Sequence, residues 1–466
     1  MRRHVISALQ FFPRGGSAHV ARALARELPA HGWDVTVVSG SCRGLDGHAD
    51  ARRFYHAVDV HTVDFDAALR APDPLDPPAG AAPMHPSYED RPGAPDVVFA
   101  ALDDAAYERQ VAAWARALAA AGAADADALH LHHLTPVNAA AARVAPDVPV
   151  VGHLHGTELL MLEEIEAGAP WPHAEAWAQR MRAWAASCAR LVVLSPGQVA
   201  RATRLLGIDP DCCVLVPNGF EPHRMHRIDV DRAAHWHEHL VAHPRGWRPG
   251  AGAGSVRYTA AQAAAVAAGP VILSVGRFTA VKRIPLLVEA FAAARQGFAQ
   301  PASLVLLGGH PGEWEGEHPL QAVERLGAEG VFLAGWHDHD TLPAFLSAAD
   351  VLALASVREQ FGQVLVEAMA AELPLVAVDR FGPAEIVEPG RTGWLVEPDD
   401  AAGLAGVLVE AVNDPAERAR RGAAARAAAE ERYAWPSLAQ RLADTLDEVV
   451  SEPRAGRTPP RCRAPA

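Results

Sequence analysis

The sequence predicts an α/β protein with two doubly wound parallel sheets, one in each half of the chain. Three observations lead to this fold class. Short apolar runs alternate with amphipathic stretches of helical period through most of the 466 residues, as in βαβ units. The alternation pauses at the turn PNGFEP (217–222) and then starts again. A chain of this length also exceeds the roughly 250–300 residues that one core usually organises.

The predicted strands follow the apolar runs. They are HVISAL (4–9), DVTVVS (34–39), DALHLH (127–132), VPVVGHL (148–154), RLVVLS (190–195), CVLVP (213–217), PVILSVG (270–276), SLVLLGG (303–309), GVFLAGW (330–336), DVLALAS (350–356), LPLVAV (373–378) and TGWLVEP (392–398). Residues 17–32 carry apolar side chains at helical spacing and end at Gly32, which predicts an amphipathic helix. Doubly wound sheets bind ligands at the carboxyl ends of their strands, so we expect a site in the cleft between the two halves.

The same pattern sets the expected domain boundaries. Residues 1–217 should form the first domain and residues 218–435 the second. We expect a helix at 436–451 that is a candidate to cross back to the first domain, and the polar, proline-rich tail 452–466 should be disordered.

Two insertions interrupt the pattern. Residues 71–96 contain so many prolines that neither a helix nor a strand can continue through them, which predicts an exposed loop. Residues 223–268, with clustered His, Arg, Gly and Ala, are interpreted as a second, irregular insertion.

Composition excludes several classes of function. The net charge of −14 argues against nucleic acid as a partner, because phosphate binding needs a basic surface. No apolar stretch reaches the roughly 18 residues of a membrane span. The first helix carries Arg22 and Arg26 but also Glu27, so we expect at most weak peripheral contact with a membrane. Five cysteines without CxxC spacing favour neither a disulfide framework nor a zinc site, and a cytoplasmic setting is expected.

The stretch REQFGQVLVEAM has the features of an anion site. Gly362 allows the chain to turn closely into a helix, whose free backbone N–H groups near Phe361, Gly362 and Val364 would face a phosphate. Glu359 before the helix and Glu367 within it could accept hydrogen bonds from hydroxyl groups on either side of that phosphate. This layout suits a nucleotide sugar, although two exposed glutamates at a helix end would be the plainer interpretation.

Three other motifs contribute candidate residues. In SVGRFTAVKR, Arg277 and Lys282 follow a strand and a glycine, where they could stabilise the charge of a departing diphosphate. In RGGS, Gly16 permits close backbone approach to a ligand, but the G-x-G-x-x-G fingerprint is absent. In GHLHGTEL, His155 could donate to a sugar hydroxyl or a leaving oxygen. A solvated basic turn and a structural histidine remain the plainer alternatives.

Three histidine-rich runs raise the question of a metal: HLHH (130–133), HWHEH (235–239) and HDHD (337–340). Zinc requires three or four ligands that converge in space, which the runs alone do not establish. HDHD is interpreted as a cap for a helix starting at Thr341. We therefore expect no metal in the site.

These motifs together resemble a known family. The second half is similar to the C-terminal domain of retaining glycosyltransferases of family 4, which have the GT-B architecture of two facing Rossmann-like domains. The similarity lies in SVGRFTAVKR, FLAGW, AADVLALAS, REQFGQVLVEAMAAELPLVA and GPAEIVEPGRTGWLVEPDD. The first half is similar through its strand-GG-helix opening, ALHLHHLTP and HGTEL, the last resembling the HGTD of members that build low-molecular-weight thiol precursors.

The resemblance implies roles for the candidate residues. Arg277 and Lys282 would hold the donor diphosphate, which Gly16 would also approach. Glu359, with the backbone at Phe361 and Gly362, would bind the donor sugar. Glu367 would bind the ribose, and His155 would touch the transferred sugar. It also implies that the first domain holds the acceptor and the second holds the donor.

The resulting hypothesis is a retaining transferase. It would move a hexose or N-acetylhexosamine from a nucleotide-diphosphate sugar, a UDP-sugar above all, to a small hydroxylated and soluble acceptor, without a cofactor or a metal. Two alternatives remain open: a nucleotide-sugar 2-epimerase of the same architecture and a non-catalytic nucleotide-sugar binder. The acceptor and the oligomeric state are not predicted.

Overall fold

The chain divides into two compact units, each built on its own parallel sheet. The structure is a computed structural model that describes residues 2–13, 15–44, 49–89, 96–451 and 462. Unit 1 comprises Met1–Asn218 and Trp435–Ala466, and unit 2 comprises Gly219–Ala434. The predicted α/β class with two doubly wound sheets is confirmed.

The sheet of unit 1 has the strand order β3-β2-β1-β4-β5-β6-β7, and every neighbouring pair is parallel. Its strands are β1 Arg3–Leu9, β2 Trp33–Ser41, β3 Asp59–Asp64, β4 Ala128–His132, β5 Val150–His153, β6 Arg190–Val193 and β7 Cys213–Leu215. Of these strands, β3 was not predicted. This edge strand reads DVHTVD and is only partly buried, so it lacks the continuous apolar run of a central strand.

Helices cover both faces of this sheet. They are α1 Gly16–Glu27, α2 Ala51–Phe54, α3 Asp66–Arg70, α4 Asp104–Ala120, α5 Pro136–Val144, α6 Thr157–Glu166, α7 Ala174–Ser187 and α8 Pro196–Leu206, with short 3₁₀ turns at Leu28–His31, Phe99–Ala101, Ala123–Asp125 and Pro210–Cys212. Successive residues of β1 face opposite layers, as the pleat requires. Val5 belongs to the core that contains Leu24 of α1, whereas Ile6 packs in the core that contains Trp114 of α4.

The sheet of unit 2 has the order β10-β9-β8-β11-β12-β13 and is also parallel throughout. Its strands are β8 Val271–Val275, β9 Ser303–Leu307, β10 Val331–Gly335, β11 Val351–Leu354, β12 Leu375–Val378 and β13 Gly393–Val396. All of these six lie within predicted runs. The strand order reverses direction between β8 and β11, so the loops that follow these two strands lie side by side.

The helices of unit 2 include a region that was predicted to be irregular. They are α9 Arg232–His237, α10 Ala260–Ala268, α11 Ile284–Ala294, α12 Pro319–Leu326, α13 Leu342–Ser347, α14 Gln363–Ala370, α15 Phe381–Ile386, α16 Ala401–Asn413 and α17 Pro415–Tyr433, with a π-helical turn at Glu238–Ala242 and 3₁₀ turns at Ala280–Lys282, Arg295–Gly297 and His339–Thr341. The predicted irregular insertion 223–268 therefore contains α9, the π turn and α10. Trp236, Leu240 and Trp247 bury their side chains there completely, so the segment is part of the packed unit.

The last helix, α18 Trp435–Ser451, belongs to unit 1 although its sequence follows unit 2. Leu438, Leu442 and Leu446 are completely buried in the same core as α1. At the polar edge of the helix, Asp447 accepts hydrogen bonds from Arg3 Nη1 at 2.6 Å and from Trp33 Nε1 at 3.0 Å. The helix therefore closes one face of the first sheet.

The proline-rich segment is less exposed than expected. Within its described part, residues 71–89 and 96, the chain forms no helix or strand, as predicted, but Met84, His85 and Tyr88 are buried. The Tyr88 hydroxyl donates to the Leu134 carbonyl at 2.8 Å, which fixes the loop on the unit. The predicted disordered tail lies outside the described residues except for Cys462. Within the described residues, no helix combines the length and the apolar character of a membrane span.

Candidate functional site

The start of α14 in unit 2 has the geometry of an anion site. Gly362 is the N-cap residue at φ +104°, a left-handed conformation that favours glycine, and no side chain of the described residues caps this end. The first N–H groups of a helix have no partner within the helix, so those of Gln363 and Val364 point out of it with the positive end of the helix dipole.

Lys282 and Glu359 meet beside this helix end. Lys282 follows β8 and Glu359 follows β11, and these strands are neighbours at the point where the strand order reverses. The Lys282 ammonium donates to Glu359 Oε2, and each side chain is only about one-fifth exposed, at 18% and 20%. The two loops are also joined through their backbones, since Val357 N donates to Val281 O at 3.0 Å.

Neighbouring strands hold the two loops in place. Gly308, directly after β9, has φ +119°, and a Cβ there would come within 2.2 Å of Gly276 O. Only glycine therefore allows the end of β9 to pass the loop that carries Arg277. On the other side, Gly382 N donates to Glu359 O at 3.2 Å, which fixes the backbone of the carboxylate.

Arg277 occupies a different position from Lys282. Its side chain is exposed, and none of the described residues forms a hydrogen bond or an ion pair with it. Because its five N–H donors are not used within the described chain, the guanidinium is available to a ligand at the rim of unit 2.

Glu367 is buried on α14, with 6% of its surface exposed. Its Oε1 accepts from His339 Nε2 at 2.8 Å and from Gln363 Nε2 at 3.2 Å. His339 belongs to the HDHD run, which does not cap the following helix as predicted: neither Asp338 nor Thr341 makes a side-chain cap there. This contact was not predicted, because His339 and Glu367 lie 28 residues apart on separate elements.

Gly16 lies in unit 1, as the first residue of α1 after the N-cap Gly15. A Cβ added at either glycine would meet no described atom within 4 Å. Packing within the described chain therefore does not require glycine at these positions, which leaves room for a ligand at this helix end.

His155 also lies in unit 1, just after β5, and is half-buried among other histidines. Its Nε2 lies 3.0 Å from His132 Nδ1, and its backbone N donates to Glu158 Oε2 at 3.1 Å. The pKa of His155 lies well below its usual range, first because the ring is buried and then because His133, His132 and His130 are close to it. The imidazole is therefore neutral at physiological pH, with one nitrogen as donor and the other as acceptor.

The candidate residues thus form two groups. In unit 2, Lys282 and Glu359 form an ion pair, and Glu367 lies further along the helix that starts at Gly362. Gly16 and His155 belong to unit 1.

Comparison with known proteins identifies the family. The family model described as Glycosyltransferase Family 4 matches residues 14–224, and the model described as Glycosyl transferases group 1 matches residues 260–428. Together they span most of the chain.

Curated relatives match about two-fifths of the chain or less. The chain is 36% identical over 152 residues to the lipopolysaccharide core biosynthesis glycosyltransferase LpsE of Rhizobium meliloti, covering 32% of this chain and 42% of that protein. It is 35% identical over 194 residues to alpha-maltose-1-phosphate synthase of Mycolicibacterium smegmatis, covering 39% and 48%. It is 28% identical over 188 residues to N-acetyl-alpha-D-glucosaminyl L-malate synthase of Bacillus anthracis, covering 40% and 48%. The chain thus spans less than half the length of these relatives.

Solved structures share the fold over nearly the whole chain. Sucrose-phosphate synthase from Thermosynechococcus elongatus gives a TM-score of 0.66 at 19% identity, covering 97% of this chain and 100% of that one. Anabaena HepE in complex with UDP-glucose gives 0.65 at 19% identity, covering 96% and 99%. The two matched halves and the shared fold agree with each other: the chain belongs to glycosyltransferase family 4 and has the GT-B fold.

Proposed function

We propose that this protein is a retaining glycosyltransferase. It transfers a hexose or N-acetylhexosamine from a nucleotide-diphosphate sugar, a UDP-sugar above all, to a small hydroxylated and soluble acceptor. The observation that carries the proposal is the ion pair of Lys282 and Glu359 beside the uncapped, glycine-started end of α14. The curated relatives, which include a glycosyltransferase of lipopolysaccharide core biosynthesis, support the same class of reaction.

The chemistry of the pair suits a sugar joined to a diphosphate. An ammonium group has three donors, and Lys282 uses one of them on Glu359 Oε2, so two remain for phosphate oxygens. The second carboxylate oxygen of Glu359 remains for a sugar hydroxyl. Arg277 adds a guanidinium with two parallel donors, which matches the geometry of a phosphate.

Charge neutralisation is the main catalytic contribution in this proposal. As the bond to the sugar breaks, negative charge grows on the departing diphosphate. The side chains of Lys282 and Arg277 stabilise it, together with the backbone N–H groups of Gly362, the N-cap, and Val364, in the first turn of α14. Because these groups supply the positive charge, no metal is needed at the diphosphate. The acceptor then attacks from the face that the diphosphate leaves, and the departing phosphate takes the acceptor proton.

Binding of the remaining parts of the donor is assigned to residues of both units. Glu367 accepts hydrogen bonds from the ribose hydroxyls through Oε2, to which no described residue donates. The backbone at Phe361 and Gly362 contacts the sugar next to Glu359. In unit 1, Gly16 approaches the phosphates and His155 contacts the transferred sugar.

The donor and its setting follow from the same reasoning. A solved structure of the same fold contains UDP-glucose, which supports a uridine nucleotide as the first candidate to test. All five cysteines are free thiols, which supports a reducing, cytoplasmic setting.

The test begins with the donor. Purified full-length protein is screened against UDP-, GDP-, ADP- and dTDP-sugars by thermal shift, and the best donor is incubated with pooled acceptors whose products are detected by mass. We expect one donor to raise the melting temperature and a product heavier by one sugar residue. Donor turnover without acceptor, with scrambling at the sugar C2, would instead identify an epimerase, and binding without any turnover would identify a non-catalytic binder.

A matched pair of variants then tests the site. Glu359→Gln keeps the shape of the side chain but removes the charge. Hydrogen bonds to charged groups contribute about 1.5–3 kcal/mol, so the substitution should lower kcat/KM by roughly 10- to 150-fold. Glu431→Gln, on the exposed face of α17, is the control and should leave kcat/KM unchanged. Equal activity of a folded Glu359→Gln variant and the wild type would refute the assignment.

A further inference from the structure

Five histidines of unit 1 lie together where β4 and β5 end. His130 and His132 alternate on β4 and therefore face the same side of the sheet, and His132 pairs in register with His153 of β5. The ring centroids of these three histidines lie 4.4–5.2 Å apart. His155 stacks on His153 at 4.5 Å, and His133 lies 4.3 Å from His155. The chain thus concentrates imidazole groups that are far apart in sequence.

The nitrogens of three of these rings converge. His130, His132 and His153 each offer one ring nitrogen, and the three nitrogens lie within 4.8 Å of one another. His130 Nε2 and His153 Nδ1 are already 3.1 Å apart. All three side chains are at most 1% exposed. Among the residues that the structure describes, no other group of three His, Cys, Asp or Glu ligand atoms comes this close.

We propose that His130, His132 and His153 form a binding site for one divalent transition-metal ion of the Zn²⁺ type. Zinc binds histidine nitrogens at about 2.0–2.1 Å, which places two nitrogens of a tetrahedral site about 3.4 Å apart. The distances between the three nitrogens therefore need to shorten by at most about 1.4 Å, which small rotations of the rings can provide. Three imidazoles leave the fourth position to water or to another ligand.

The surroundings supply the second shell that such sites use. Ser7 Oγ lies 3.2 Å from His132 Nε2 and can fix the orientation of that ring. Glu158, completely buried, accepts from His133 Nδ1 at 2.6 Å and places one negative charge at the edge of the cluster. That charge partly offsets the charge of a buried dication.

The ligand atoms are chemically ready for a metal. Burial lowers the pKa of His130 to about 3, and burial and neighbouring histidines lower those of His132 and His153 well below the usual range. Neutral rings keep a lone pair for the metal. His155, which is only partly buried, stacks on His153 at one side of the cluster.

The three ligand residues belong to unit 1, whereas Lys282 and Arg277, the cations assigned to the donor, belong to unit 2. The metal proposal does not depend on the proposed transfer reaction. Unit 2 contains a second histidine group, which serves as an internal control. The rings of His235, His239 and His337 adjoin one another at 4.6 and 4.8 Å, but their ligand atoms do not converge as those of the first cluster do.

The experiment measures Zn²⁺ and Co²⁺ binding by the full chain, purified without a histidine tag and stripped of metal by chelator dialysis. Bound Zn²⁺ is quantified by elemental mass spectrometry and by competition with a chromophoric chelator. Co²⁺ reports geometry, because a tetrahedral site absorbs visible light strongly. We expect one Zn²⁺ per chain and a tetrahedral Co²⁺ spectrum.

Variants locate the ion. His153→Gln and, separately, His132→Gln should weaken Zn²⁺ binding by more than about 100-fold, since the loss of an outer-shell partner alone lowers affinity by 10- to 100-fold. His239→Gln should bind Zn²⁺ as the wild type does. Absence of Zn²⁺ binding by the wild type overturns the proposal, even if both cluster variants fail to fold. So does loss of binding in His239→Gln, or full retention in a folded His153→Gln.

Discussion

Alanine substitutions at two glycines of unit 2 should have opposite effects on stability. At Gly308, φ is +119° and a Cβ would come within 2.2 Å of the Gly276 carbonyl oxygen. A non-glycine residue held in a strained backbone conformation lowers the free energy of unfolding by about 1–3 kcal/mol, and the clash of its Cβ with the carbonyl oxygen lowers it further. We therefore expect Gly308→Ala to lower the free energy of unfolding by at least about 3 kcal/mol.

Gly406, on the exposed face of α16, provides the matched control. A Cβ there meets no described atom within 4 Å, and its φ is not positive. Replacing a helical glycine by alanine reduces the entropy of the unfolded chain and should raise the free energy of unfolding by about 0.5–1 kcal/mol.

Thermal unfolding distinguishes the two effects. For a unit of this size, 1 kcal/mol corresponds to about 2–4 °C in the melting temperature. Gly308→Ala should melt about 6–12 °C lower than the wild type and Gly406→Ala about 1–4 °C higher. Because Gly308 supports the loop that carries Arg277, donor binding should also weaken in Gly308→Ala alone. Equal melting temperatures for Gly308→Ala and the wild type would refute the packing argument.

Two further predictions concern a buried leucine and a buried histidine. Leu442 of α18 is completely buried, so Leu442→Ala should lower the free energy of unfolding of unit 1, measured by urea denaturation, by about 2–5 kcal/mol. Leu215 is 39% exposed, so Leu215→Ala should change this free energy by less than about 0.5 kcal/mol. His318 accepts from Leu320 N at 3.1 Å through Nδ1, and burial lowers its pKa from 6.5 to about 4. Between these pH values the unfolded chain binds more protons at His318 than the folded chain does. The free energy of unfolding should therefore fall as the pH falls from 6.5 to 4, by at most about 3 kcal/mol. His318→Asn keeps an N-cap acceptor without this titration, and an unchanged pH dependence in that variant would contradict the explanation.

The sheets were predictable because their central strands are buried on both faces. β8 and β11, for example, lie inside the predicted runs PVILSVG and DVLALAS, since a parallel strand covered by helices needs a continuous apolar run. β3 was missed for the same reason: an edge strand with one partner does not need such a run. The α9 region was missed because clustered histidines and arginines obscured the helical spacing of Trp236 and Leu240.

The candidate site was predictable only in part. The glycine-started helix at Gly362 follows from the local sequence, and the ion pair of Lys282 and Glu359 follows from strand order once β8 and β11 are neighbours. The contact of His339 with Glu367 and the convergence of His130 with His153 depend on side-chain directions across separate elements. No local pattern encodes such contacts, so only the folded structure shows them.

The position of α18 determines the order in which the protein can be completed during synthesis. The ribosome finishes the whole of unit 2 before it makes Trp435–Ser451, the segment that covers the core shared by Leu24 and Val5. Nascent unit 1 therefore waits with an uncovered apolar face while the later unit already has all of its residues. Domains usually fold in the order of their synthesis, but here unit 1, whose synthesis begins first, receives its last helix only after unit 2 has been made.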